Sequence, residues 1–260
     1  MNWIEAVLLG ILQGLTEFLP VSSSGHLELG KAFLGIDPTH SLLFTVVVHG
    51  ATVLSTIVVF RKDLYTLFRG ALQFRWNEES RYVMLLLVSM LPVLVVGLFL
   101  KEEVEGFFSG RVRFVGSMLM VTALLLGASA LFPRREGNIG FLDALIIGLA
   151  QAVAVLPGIS RSGATIATGL MLGKDRGATA RFSFLMVLLP IIGANILDLK
   201  DLPVSSGDTP QLMTLVAGFL SAFITGWLAC RWMIRLVQKG RMAYFAAYCL
   251  LLGLLAITLG

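Results

Sequence analysis

Two stretches of this chain set chemistry-bearing side chains inside otherwise apolar sequence. The first runs Gln13-Gly-Leu-Thr-Glu17-Phe-Leu-Pro20-Val-Ser22-Ser23-Ser24-Gly25-His26, and the second, opening at Gln151, reaches Pro157-Gly-Ile-Ser160-Arg161-Ser162-Gly163-Ala-Thr165. Gln13 and Glu17 are four residues apart, so on a helix they share one face. An ionisable side chain at bilayer depth costs about 2.5–3.5 kcal/mol or more, which makes function its default explanation. Glu17 offers hard oxygens to Mg²⁺ or Ca²⁺, with Gln13 adding a carbonyl, or it acts as a general base. Its structural alternative is a carboxylate that holds backbone N–H groups at the turn.

Ser22, Ser23, Ser24 and Gly25 form a tight polar turn after Pro20. Small residues let backbone N–H groups converge on an anion, and each hydroxyl adds a donor or a nucleophile; plain helix capping is the competing explanation. His26 opens the returning half-helix, where an imidazole can take a proton from a serine or give one to a leaving group, or simply be a buried hydrogen-bonded histidine. Arg161 is the one arginine well inside an apolar stretch. Its planar fork suits a pair of phosphate oxygens, and a structural ion pair with Glu17 is the alternative. Ser160, Ser162, Gly163 and Thr165 extend the anion cradle, and the N-termini of the half-helices add positive dipole ends. His49 and Asn195 are expected to bond to neighbouring backbone, Asp198 to be solvated at a span end, and Glu102, Glu103 and Glu105 to form a solvated outer loop.

These residues need elements to hold them at depth. Of 260 residues, 57% are hydrophobic and only 14% charged, and the mean hydropathy is +0.86, whereas a soluble domain carries roughly 25% charge. The composition predicts a multi-pass membrane protein. Several apolar runs reach the ~20 residues of a spanning helix, and none shows the alternation of an outer-membrane barrel. Six spans are expected at about 41–60, 82–100, 113–132, 179–198, 211–230 and 242–259. Residues 3–35 and 141–174 are apolar but interrupted by Pro, Gly and Ser, too long for one span and too short for two. Each reads as a re-entrant helical hairpin whose turn faces protein or a wet cavity, because hydrocarbon cannot satisfy open backbone groups. Cys230 and Cys249 both lie in apolar spans and supply neither a disulfide framework nor a metal-binding spacing. With no basic residue before the first apolar run and no cleavage pattern after it, no removable signal peptide is expected.

The two halves repeat. Gly10 and Gln13 match Gly148 and Gln151, Leu19-Pro20 matches Leu156-Pro157, Ser24-Gly25 matches Ser162-Gly163, and Leu29-Gly30-Lys31 matches Leu172-Gly173-Lys174. The expected architecture is therefore one all-α integral membrane domain over 1–260, with repeat 1 at 1–132 and repeat 2 at 139–260. Each repeat contributes a hairpin and three spans, an odd number of crossings, so the second must be inverted. Basic residues order the faces. Arg61, Lys62, Arg69, Arg75, Arg81, Arg134, Arg135, Lys174, Arg176, Arg181, Arg231, Arg235, Lys239 and Arg241 fall on one side, expected cytoplasmic, and only Lys101, Arg111, Arg113 and Lys200, with Lys31 nearby, on the other. Both termini and the mouth of the first hairpin then face outward, and the hairpin tips meet near the midplane. Residues 61–81 are expected to form at most an interfacial helix.

The motifs Q-G-L-T-E-F-L-P-V-S-S-S-G-H at 13–26 and P-G-I-S-R-S-G-A-T at 157–165 resemble those of the undecaprenyl-diphosphate phosphatases, the bacitracin-resistance family, and the repeat layout agrees over essentially the whole chain. The resemblance implies an enzyme of the bacterial inner membrane that hydrolyses undecaprenyl diphosphate to undecaprenyl phosphate, recycling the lipid carrier for peptidoglycan and cell-wall synthesis. It implies dependence on a divalent metal, Mg²⁺ or Ca²⁺, and bacitracin resistance when the enzyme is abundant. By that analogy the catalytic positions are Glu17, Ser23, His26 and Arg161, with Gln13 where the family has Glu or Gln and so a ligand rather than a base. Partners would be the polyprenyl diphosphate, the bilayer and a second copy in a homodimer, with no nucleic acid. Attack by Ser23 with His26 moving its proton, and attack by an activated water, both fit. An inverted repeat with paired hairpins is also a carrier plan, so a flippase or transporter for an anionic lipid or solute is the competing class. A second lipid-phosphatase family shares Ser-Gly-His, but its second histidine after Ser-Arg has no counterpart behind Arg161.

Overall fold

The computed structural model describes residues 1–36, 42–100, 103–104, 106–107, 112–133, 136–200 and 212–259. Lys101, Glu102, Glu105, Arg111, Arg134, Arg135 and the side chain of Lys200 lie outside these residues. The order is α1 (Trp3–Phe18), α2 (Ser23–Leu34), α3 (Leu42–Val59), α4 (Arg61–Ala71), α5 (Glu78–Phe99), α6 (Val112–Leu131), α7 (Phe141–Val153), α8 (Arg161–Met171), α9 (Arg176–Met186), α10 (Leu188–Lys200), α11 (Leu212–Gln238) and α12 (Met242–Leu259). Among the described residues there is no β-strand, only an isolated bridge between Gly137 and Lys174.

Among the described residues five stretches are long and apolar enough to cross a membrane: α3, α5, α6, α9 with α10, and α11. Their outward faces are apolar, as at Leu91, Leu94 and Leu98 of α5 and Leu220, Ile224 and Leu228 of α11. Only 17% of the apolar window of α5 is buried by protein, so the rest of that helix has lipid for its solvent. The chain is an all-helical integral membrane protein. Helices α7 and α12 are apolar but shorter. The span expected at 179–198 begins at Arg176 and is broken at Val187, between α9 and α10. Pro190 explains the break, since it has no N–H for the carbonyl of Met186 and its ring crowds that residue. The segment 61–81 contains α4, which buries Leu67 and Gly70 and exposes Tyr65 and Phe68.

Each polar stretch interrupts a helix pair. Asn2 and Glu5 close a capping box on α1, which ends at Leu19 in an extended conformation, as a residue before proline prefers. Ser22 then takes φ 70°, a strained conformation for a non-glycine residue that costs about 1–3 kcal/mol. Its hydroxyl accepts from the Gly25 N–H and caps α2. The second turn repeats the device, with Ser160 capping α8 through the Gly163 N–H. Here Gly158 takes the positive φ, 99°, against the carbonyl of Val115, where a side chain would collide. Thr122 of α6 holds this turn from both sides, donating to the Gly158 carbonyl at 3.0 Å and accepting from the Ser160 N–H at 3.0 Å.

Packing crosses between the halves. Helix α1 lies on α11, α7 lies on α5, and α6 pairs with α12. Glycine makes these approaches close: a Cβ on Gly14 would run into Thr225 and the carbonyl of Ala222, and one on Gly148 into the carbonyl of Ser89. Small residues do this in membranes because association there rests on van der Waals contact rather than on expelling water. Gly116 and Gly253 form the reciprocal case, since a Cβ on either would lie 2.8 Å from the other's carbonyl oxygen. Gly116→Leu is therefore expected to lower the melting temperature in detergent by several degrees, following an overpacking cost of about 1–3 kcal/mol. Gly127→Ala, whose new Cβ would meet Ala246 at an ordinary 4.0 Å, is the control; equal melting of the two variants would dismiss the close-packing account of α6 and α12.

Candidate active site

The two turns touch. Ser162 Oγ donates to the Leu19 carbonyl at 3.4 Å, and a Cβ on Gly163 would meet the Pro20 ring at 3.2 Å. Ser23 and Arg161 are the first residues of α2 and α8, each directly after its capping serine, so they occupy equivalent places in the two hairpins. Both turn toward Glu17 on the last turn of α1.

Glu17 is the centre of the site. Its Oε2 accepts from Ser23 Oγ at 2.6 Å and from Gln13 Nε2 at 2.9 Å. Oε1 faces Arg161 Nη2 at 3.9 Å, too far for a hydrogen bond. The Arg161 side chain is 31% exposed against 8% for Glu17. The guanidinium thus keeps its donors unspent toward Glu17, and the ion pair falls short of a closed structural bridge. Gln13 Oε1 is buried and has no hydrogen-bond partner among the described residues.

The serines divide by role. Ser22 and Ser160 are caps and sit 3.4 Å from Ser24 and Ser162 respectively. Capping uses the N–H groups of Gly25 and Gly163, and among the described residues those of Ser23, Ser24, Arg161 and Ser162 have no acceptor. Each of the two helix N-termini therefore keeps two open N–H donors, and open donors at a helix N-terminus favour anions. Thr165 gives its hydroxyl hydrogen to the Arg161 carbonyl at 2.8 Å and accepts from Ser183 at 2.6 Å, so it supports the turn.

His26 does not pair with Ser23. Its Nδ1 lies 2.8 Å from the Ser22 carbonyl, which can only accept, so Nδ1 carries the hydrogen. The Nε2 of the neutral ring then accepts from the Tyr248 hydroxyl at 2.8 Å, a contact across 222 residues of sequence. His26 clamps the strained Ser22, and the group hydrogen-bonded to the Ser23 hydroxyl is Glu17.

The family described as bacitracin resistance protein BacA matches residues 6–255. The chain belongs to this family. Among BacA-like proteins, it is 52% identical over 262 residues to the undecaprenyl-diphosphatase of Bacteroides fragilis (strain YCH46), covering 99% of this chain and 98% of that one. The namesake proteins of Desulfosudis oleivorans and Methanosphaera stadtmanae are 43% and 35% identical, each across 100% of this chain and 99% and 98% of theirs.

In this BacA-family chain, sequence reasoning undervalued His49. The expected backbone bond is present, Nδ1 to the Thr45 carbonyl at 2.9 Å, but Nε2 turns to Glu17 Oε2 at 4.0 Å. An ionisable residue within a span was the available signal. Tyr248 and Thr122, an aromatic and a hydroxyl in apolar helices, carry no such signal; only the fold brings them to the turns.

Proposed function

We propose that the site is a phosphoryl-transfer centre in which Ser23 is the nucleophile and Glu17 its base, and that the chain is a membrane undecaprenyl-diphosphatase. The activity rests on full-length family membership. The mechanism rests on one observation, the 2.6 Å hydrogen bond from Ser23 Oγ to the Glu17 carboxylate beneath the Arg161 guanidinium. An O–H···O⁻ bond of that length is a strong, charge-assisted one, and it points the proton where it must go.

As Ser23 Oγ forms a bond to the terminal phosphorus, its proton passes to Glu17. The anhydride P–O bond breaks, and the electron pair leaves on the oxygen of undecaprenyl phosphate. Water then cleaves the phosphoserine, releasing inorganic phosphate and restoring the hydroxyl. Arg161 and the open N–H groups of Ser23, Ser24, Arg161 and Ser162 offset the charge that collects on the transferring group, the largest contribution in phosphoryl transfer. His26 is a positioning residue: it holds Ser22, and through it the place of Ser23. The nucleophile and its base distinguish this from a carrier, which needs binding groups alone.

A divalent metal fits the donor set. The unpartnered Gln13 Oε1 and the Glu17 carboxylate, one of whose oxygens accepts no hydrogen bond, are hard oxygens. Among the described residues no three His, Cys, Asp or Glu side chains gather. That suits Mg²⁺ or Ca²⁺ completed by substrate oxygens and water rather than a closed protein cage. Such an ion, held by Glu17 and Gln13, would supply further neutralisation of the diphosphate.

The exchange of partners between the halves, α1 on α11 and α7 on α5, supports the finer topology: six spans, two re-entrant hairpins at 3–35 and 141–174, and an inverted repeat. In that frame the termini and the site opening are extracytoplasmic, and the substrate tail lies along the lipid-facing helices. A homodimer is compatible with the apolar outer faces. The deciding experiment is phosphate release from a prenyl diphosphate by detergent-purified protein, with acid-quenched samples mapped for phosphoserine. Label on Ser23 is expected; turnover without phosphate on Ser23 at any time point would transfer the nucleophile's role to water, and no turnover with Mg²⁺ or Ca²⁺ would dismiss the enzyme.

A further inference from the structure

We infer that Gln151 is a substrate-binding residue, donating a neutral hydrogen bond to the phosphate held by Arg161; this rests on the phosphatase reading above. Gln151 is completely buried on α7, yet among the described residues neither its Nε2 nor its Oε1 has a hydrogen-bond partner. An amide taken out of water without a partner is costly, and such a group in a folded protein calls for an explanation. It lines a cavity whose other polar walls are Glu17, Thr52, Thr56, Arg161, Ser162, Thr165 and Ser183.

Internal symmetry says why this amide is free. Gln13 occupies the equivalent place in the first hairpin and spends its Nε2 on Glu17 four residues later. Four residues after Gln151 the chain has Val155, so the second hairpin supplies no carboxylate. The acceptor for Gln151 is thus left to a bound group, and the Arg161 guanidinium on the same cavity favours an anionic one. Within this cavity Ser183 donates to Thr165, and Thr165, Ser162, Thr52 and Thr56 each donate to a backbone carbonyl, leaving Arg161 and Gln151 as the side chains with unspent donors among the described residues. A phosphate oxygen engaged by Arg161 is the acceptor whose chemistry matches. A neutral amide there adds direction to the grip without adding another cation, which would slow release of the phosphate product.

The test compares Gln151→Met and Gln151→Glu with wild type and Arg161→Ala in prenyl diphosphate hydrolysis, inhibition by inorganic phosphate, and thermal melting in detergent. Loss of a hydrogen bond to a charged group should raise KM and the phosphate inhibition constant of Gln151→Met by about 10- to 100-fold while kcat changes less. Gln151→Glu should raise both further, by repulsion. Gln151→Met should melt at or above the wild-type temperature, because it removes an unsatisfied buried amide. Unchanged KM and phosphate inhibition in Gln151→Met would overturn the inference, as would a melting temperature depressed like that of Gly116→Leu, which would assign Gln151 to packing. If wild type hydrolyses the substrate and Arg161→Ala does not, those outcomes count against Gln151 alone; if wild type does not, the phosphatase reading fails first.

Discussion

Glu17→Gln is expected to lower kcat for prenyl diphosphate hydrolysis by about 10²- to 10⁴-fold, the contribution of a positioned general base. The substitution keeps the shape of the side chain and removes its charge and, with it, its ability to take a proton. The bond from Ser23 Oγ, now 2.6 Å to a carboxylate, becomes a neutral contact with no acceptor for the departing hydrogen. KM should move less than kcat, since Arg161 and the helix N-termini still bind the diphosphate. Ser23→Ala should cost at least as much, and the double variant little more than the worse single one, because nucleophile and base act as a unit. Rates from phosphate release across the cycle decide this. A Glu17→Gln enzyme with more than a tenth of wild-type kcat, or losses that multiply in the double variant, would refute the Ser23–Glu17 pairing.

Arg161→Ala should be comparably damaging, and Arg161→Lys should lose much of the activity despite keeping the charge. Lysine has one ammonium where arginine has a planar fork, so it cannot hold two phosphate oxygens in fixed geometry. The lost charge-assisted hydrogen bonding, about 1.5–3 kcal/mol per bond, predicts a fall in kcat/KM of roughly 10- to 100-fold for Lys and, by comparison with arginines that stabilise phosphoryl transfer, about 10³-fold or more for Ala. Because the guanidinium lies 3.9 Å from Glu17 and is partly exposed, neither variant should melt appreciably below wild type. A large stability loss with kcat/KM preserved in Arg161→Lys would make Arg161 a structural counter-ion, the alternative that its neighbour Glu17 raises.

Much of the fold was legible because its signals are local. Pro20, Pro157 and the serines and glycines around them break helices, so the two helix–turn–helix segments follow from composition within a few residues. The break at Val187 is equally local, three residues before Pro190, but an apolar run hides it. The split of the serines into caps and first-turn residues was not legible: Ser22 and Ser23 are adjacent and chemically identical. One takes φ 70° to cap the helix and the other points to Glu17, and only the turn's geometry separates them.

What the sequence determined by itself was the inventory and its halves: a membrane chain, a repeat, an acid with serines in one polar turn, an arginine in the other. These are statements about neighbours within one or two helical turns, where spacing dictates which side chains share a face. Tertiary structure alone decided the pairings. Ser23 donates to Glu17 and not to His26, His26 is held by Tyr248 from 222 residues away, His49 of α3 turns to Glu17, and Gln151 opens into the cavity beside Arg161. The first depends on the geometry of the turn between α1 and α2, and the others on how helices from separate parts of the chain rotate against one another. Glycine contacts such as Gly14 on α11 and Gly116 on Gly253 set that rotation, and no short-range pattern of residues encodes it.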